Sequence, residues 1–218
     1  HKEAEEVLRR AMDVSGGEVS IRERLEDCQL RRARYDVKIA EKQAAAEKTP
    51  QSLELLKKKR GELNSMEMDV FRTRAERYPN NPTWKFELGL RLKFAGQYNE
   101  AIQCYQAASG DPKRKAQICM ELGECFQSIK QYKLAMRNYE DSLEALAPRE
   151  VDQRKRALYR AGRLALALAE KHLASQDPQG KEELDQAEKY LSELAGLEFG
   201  YKDVPVALDK IAKLRNKD

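Results

Sequence analysis

The chain has 218 residues, of which 36% are charged and only 7% aromatic, and its mean hydropathy is −0.81. This composition suits helices with broad solvated faces and argues against an enzyme built around one deep apolar pocket. The net charge of +4 is a small difference between 41 basic and 37 acidic residues, so basic runs such as Lys57-Lys58-Lys59-Arg60 are solvated helix faces rather than a nucleic-acid footprint.

Four cysteines (Cys28, Cys104, Cys119, Cys125) lack C-x-x-C spacing, which points to free thiols in a reducing, cytoplasmic setting. With His1 and His172 as the only histidines, no metal site, no cofactor and no catalytic pair are predicted. No apolar run is long enough to span a membrane, although a start at His1 rather than Met leaves an upstream signal or anchor open.

In chain order, residues 2–14 place Ala4, Leu8 and Ala11 at a spacing that returns in Ala101, Tyr105 and Ala108. They are expected to form the second helix of a truncated repeat (residues 1–17), so that the chain is a fragment of a longer array. A short amphipathic cap helix is the alternative. After the Ser15-Gly16-Gly17 turn, charged helical sequence runs to Lys48, breaks at Thr49-Pro50 and resumes to Tyr78. Ile21, Leu25, Cys28, Tyr35 and Ile39 on the first helix, and Leu53, Leu56, Leu63, Met66 and Val70 on the second, are predicted to form the seam of an antiparallel coiled-coil-like hairpin over 18–81. Arg32 and Arg60 would interrupt that seam, and the hairpin would project roughly 20 Å as a dimerisation arm, a binding arm or a spacer.

Residues 82–150 carry an internal repeat. Leu88, Gly89, Tyr98, Ala101 and Tyr105 return as Leu122, Gly123, Tyr132, Ala135 and Tyr139, each 34 residues later. A glycine inside a helix costs about 1 kcal/mol relative to alanine, so packing must require it. Gly89 and Gly123 are expected to admit an alanine of the paired helix. A looser, longer copy fills 151–200: Ala161-Gly162 replaces Leu-Gly, the first helix lengthens to about 153–174, and Ala187, Leu191 and Leu194 follow the turn in 175–180. Residues 201–218 are predicted to close the array with a helix from Asp203, as N-cap, to Arg215.

The L-G, aromatic, A-x-x-x-aromatic pattern at this period resembles the tetratricopeptide repeat. The resemblance implies an all-α fold, a right-handed α-solenoid of helix-turn-helix units carrying the long hairpin, and a non-catalytic role. It also implies a concave groove lined by the first helices, receiving a peptide or helix of a protein partner. By register the groove positions are Thr83, Phe86, Glu87, Leu90, Lys93 and Phe94 in the first clear unit, and Gln117, Met120, Glu121, Glu124 and Gln127 in the second. Arg156, Tyr159, Arg160 and Arg163 come from the third.

Arg156, Arg160 and Arg163 share a helix face and would fork onto carboxylates of an acidic peptide, or else pair with Glu121 and Glu124. Phe86, Leu90, Phe94 and Met120 would take the peptide's apolar side chains. The carboxylate clamp of some family members is absent, since Phe86, Leu90 and Glu121 stand where it would be. The expected function is a protein–protein interaction scaffold, with assembly through the hairpin as the alternative.

Overall fold

The computed structural model describes residues 2–216, and His1, Lys217 and Asp218, at the ends of the first and last predicted segments, lie outside the described residues. All regular elements there are helical: α1 Lys2–Val14, α2 Val19–Glu47, α3 Pro50–Arg77, α4 Pro82–Phe94, α5 Tyr98–Ala108, α6 Lys115–Ser128, α7 Tyr132–Ala145, α8 Val151–Ala174, α9 Gln179–Leu197 and α10 Val204–Arg215. A 3₁₀ turn, Pro112–Arg114, precedes α6. Two compact units divide the chain between Gln97 and Tyr98, inside the stretch where the sequence places its first clear repeat.

In the first unit, α1 packs on α2, α2 on α3 and α3 on α4. Thr49 and Ser52 form a reciprocal capping box, with Pro50 at the first helical position, so the α2–α3 turn is locally encoded. The α2 residues that bury are Cys28, Leu30, Val37, Ala40 and Ala44. Of these, Leu30, Val37, Ala40 and Ala44 follow a heptad stripe that differs from the predicted seam. Tyr35, Ile39 and Leu53, all expected in the seam, are 54%, 48% and 54% exposed.

The predicted α2 stripe lies on the opposite face, where α1 docks: Gln29 donates to Glu5 at 3.4 Å, and Arg32 pairs with Glu5 instead of breaking a seam. Charged rungs tie α2 to α3, namely Arg34–Glu67 at 2.7 Å, Arg60–Glu41 at 2.8 Å and Arg77–Glu23 at 2.7 Å. Arg74 is buried, bonding to Glu26 at 3.0 Å and Asp27 at 2.8 Å while lying 5.0 Å over the Trp84 ring of α4. Phe71 stacks on the same ring at 5.9 Å, and Arg91 of α4 reaches Glu67 at 2.9 Å.

In the second unit α6 pairs with α7 and α8 with α9, and α10 packs on both α8 and α9. Tyr139, Leu158, Leu191, Leu194 and Ile211 are almost wholly enclosed in this core. The close approach at the repeat glycine is to an aromatic ring rather than to alanine. A Cβ on Gly123 would stand 2.5 Å from Tyr139, and one on Gly162 would stand 2.7 Å from Leu191, which takes the ring's place in the third unit.

The turn after each first helix repeats as well. Gly96, Lys130 and Gln176 all have positive φ, at 79°, 62° and 58°. Each is followed by an N–H bonded five residues back: Gln97 to Leu92, Gln131 to Phe126 and Asp177 to His172, all at 2.8–2.9 Å. This is the Schellman closure that turns one helix onto the next.

Candidate functional site

The predicted positions fall in both units. In the first, Phe86 is 1% exposed, so it belongs to the core and cannot line an open groove. Glu87, Leu90 and Lys93 are half-buried on α4, while Phe94, at its C-terminal end, is 63% exposed. Among these five, Phe94 alone offers a large apolar surface to solvent.

The remaining positions lie on α6 and α8 of the second unit, where Arg156 and Arg160 face Glu121 and Glu124. Met120 and Glu121 are only 4% exposed, so Met120 contributes mainly to the core. Arg156 Nη2 reaches Glu124 at 2.8 Å and Glu121 at 3.3 Å, and Arg160 Nη2 reaches the same Glu124 oxygen at 3.1 Å. Two arginines of α8 therefore clamp two carboxylates of α6, as the second sequence reading expected. Burial works against the Arg156 charge, but the hydrogen bonds and charges of Glu124 and Glu121 outweigh it and raise its pKa above the ordinary value.

Beside this clamp lies a cavity of about 270 Å³ lined by Ala116, Gln117, Met120, Ser142, Gln153 and Arg156. Its inner wall is fixed by Ser142, whose hydroxyl donates to the Ala116 carbonyl at 2.8 Å and holds α7 against α6. The cavity combines an apolar wall with amide and guanidinium groups, suited to one side chain of an incoming segment.

One residue outside the predicted set organises the other half of the row. Asp203 stands at the N-cap position of α10 but makes no side-chain cap, contrary to expectation. Its carboxylate instead accepts from the Tyr159 hydroxyl at 2.9 Å and lies 3.7 Å from Arg163. Tyr159 meets Tyr201 edge-on at 5.7 Å, and the Lys202 ammonium sits 4.2 Å over the Tyr159 ring. Burial, then the bond to Asp203, push the Tyr159 hydroxyl pKa upward, so it stays a neutral donor. The sequence signal for Asp203 was real, but its partners lie about 40 residues away and local spacing cannot supply them.

All three arginines of the row keep 41–44% of their side-chain surface exposed. A guanidinium has five N–H donors, and each of these engages its carboxylate through one terminal nitrogen. Donors therefore remain for a further acceptor.

No family model matches the chain, and none of the curated proteins matches it by sequence. Solved structures do. MamA superposes with a TM-score of 0.52 at 17% identity, covering 84% of this chain and 96% of MamA. That overlap, with the 34-residue register of glycine and turn, decides the architecture. The chain has a tetratricopeptide-like fold. BtubC (BKLC) from P. vanneervenii is more distant, with a TM-score of 0.47 at 15% identity over 88% of this chain and 84% of its own. A TPR repeats protein from Bacteroides fragilis NCTC 9343 gives 0.35 at 11% identity over 70% and 92%. In this tetratricopeptide-like chain, α6 and α8 are first helices of successive units, the class that carries the predicted groove. No helix among the described residues is long and apolar enough to cross a membrane.

Proposed function

We propose that the chain is a non-catalytic protein–protein interaction scaffold whose α6/α8 face holds a carboxylate-bearing peptide or helix of a protein partner. The observation that carries this reading is the guanidinium row beside the cavity. Three arginines on one face are oriented by Glu121, Glu124 and Asp203, yet stay more than two-fifths exposed. Intramolecular carboxylates fix the forks without exhausting their donors, which lowers the ordering cost of binding. The neighbouring cavity takes one partner side chain and sets the register.

A random-peptide display selection on the immobilised chain tests this, with an Arg160→Ala/Arg163→Ala variant as counter-target. Peptides rich in Asp and Glu should enrich on the wild type and fall away on the variant. Equal enrichment on both, or no acidic motif, contradicts the reading.

A second reading, assembly through the hairpin, is favoured by Leu53 and Leu55 near its tip, which are 54% and 37% exposed. It predicts a solution mass that is a multiple of 25.1 kDa and returns to that value in a Leu53→Ser/Leu55→Ser variant. A wild-type mass already equal to one chain rejects it.

A further inference from the structure

Helix α2 carries two heptad stripes on opposite faces. One, through Leu30, Val37, Ala40 and Ala44, is buried in the hairpin. The other runs Ile21, Leu25, Cys28, Arg32, Tyr35, Ile39, Lys42 and Ala46, each three or four residues after the last. An apolar stripe of this length on a second face marks a helix that meets partners on both sides.

The first half of that outer stripe has its partner on the page. Helix α1 lies antiparallel along it: Cys28 is 6% exposed, and Glu5 of α1, only 3% exposed, takes Arg32 and Gln29. The docking chemistry is thus an amphipathic helix with half-buried Leu8, Ala11 and Met12 and an acidic group set on a basic one. Past Arg32 the same stripe continues with Tyr35 54% and Ile39 48% exposed. Lys42 lies within it and Lys38 beside it, both exposed and neither in an ion pair among the described residues. The outer face over residues 35–46 therefore sets the apolar Tyr35, Ile39 and Ala46 around Lys42, with Lys38 at one margin and Asp36 at the other. At 1.5 Å per residue it offers roughly 17 Å, the length of three helical turns.

We propose that this second half of the outer α2 stripe docks an acidic amphipathic helix of a protein partner, laid along α2 in line with α1. The continuity with the α1 interface gives the geometry, and the lysines give the sign of the partner's charge. The contact is small and half electrostatic, so it is weak and salt-sensitive. It is independent of the α6/α8 face.

The test uses the whole chain and two synthetic helical peptides of about three heptads, identical in their leucine stripe and flanked by glutamates or by lysines. Fluorescence anisotropy at low salt should show the glutamate peptide binding and the lysine peptide binding at least roughly tenfold more weakly. In an Arg160→Ala/Arg163→Ala background, where the α6/α8 row no longer competes for the same carboxylates, Lys38→Glu/Lys42→Glu and Ile39→Ser should each weaken the glutamate peptide severalfold. The substituted α2 side chains are exposed, and unchanged helicity by circular dichroism verifies that the variants fold.

Three results in that background would overturn the proposal: no binding of the glutamate peptide, equal binding of both peptides, or indifference to the α2 substitutions. Self-association of the chain that disappears in Ile39→Ser would do so too, by assigning the surface to a second copy.

Discussion

A methyl group on residue 123 would lie 2.5 Å from Cε1 of Tyr139, inside any distance two carbons tolerate. Tyr139 is completely enclosed, and its hydroxyl donates to Gln127 at 2.6 Å, so the ring has no room to retreat. Gly123→Ala should therefore destabilise the fold. Overpacking costs about 1–3 kcal/mol, against about 1 kcal/mol gained in helix propensity. Gly61→Ala, on an exposed stretch of α3 with nothing within 4 Å, should instead stabilise by about 1 kcal/mol. Urea midpoints of the two variants, moving in opposite directions, check both.

Lys130 occupies the left-handed position that Gly96 fills one repeat earlier, with φ 62° and the same closing hydrogen bond from the next residue. A side chain in that region costs about 1–2 kcal/mol. Lys130→Gly should raise the thermal midpoint, because the turn keeps its geometry and loses its strain. An unchanged or lower midpoint would mean the Lys130 side chain supports the turn.

The repeat period was legible because the copies share one geometry: a glycine against a large side chain, Tyr139 at Gly123 and Leu191 at Gly162, and a turn with one positive φ. Gly89 and Gly123 gave the spacing away. The turn in 175–180 was legible from Asp177, Pro178 and Gly180, but the positive φ at Lys130 and Gln176 was not, since neither residue type favours the left-handed region. The hairpin formed as expected, but its seam was misread. Ile21, Leu25, Cys28, Tyr35 and Ile39 do form a helical stripe, but α2 has two, and periodicity reveals a face without saying what covers it. The true seam uses alanines, Ala40 and Ala44, which hydrophobicity alone ranks below isoleucine and tyrosine. At the candidate site the arginine row was visible at i, i+4, i+7, whereas Asp203 required the fold.

Arg74 joins three helices, since it bonds Glu26, Asp27 and the Glu23 carbonyl of α2 from α3 and stacks on Trp84 of α4. Burial opposes its charge, but the bonds to Asp27 and Glu26 more than restore it. Arg74→Met keeps the volume and leaves Glu26 without its cation at a site 14% exposed. The expected loss is about 3 kcal/mol, the low end for breaking a buried pair, because Asp27 is half in solvent. Arg74→Lys should recover only part of it, since an ammonium cannot reproduce the fork or the stacking. Equal stability of Met and wild type would show the network to be dispensable.

Tyr139 and Tyr190 hold their hydroxyl protons well above the ordinary phenol range, Tyr139 through burial and Tyr190 through burial and then its bond to Glu140. A pKa raised by folding means that the unfolded chain releases these protons first. The associated stability is full below about pH 10 and is lost as pH climbs from there through the raised folded values. Tyr190→Phe should flatten the fall in stability between pH 9.5 and 11.5 measured by urea unfolding, and a slope identical to wild type would remove Tyr190 from the account.

Site-directed photo-crosslinking can locate a partner's acidic segment on the α6/α8 face. A benzophenone placed at Gln117 or Gln153, on the rim of the cavity, should capture an acidic peptide selected on the wild-type chain. The same group at Arg137 on α7 or Lys189 on α9 should not. Capture from the α7 and α9 positions, with none from the cavity rim, would contradict the assignment of this face.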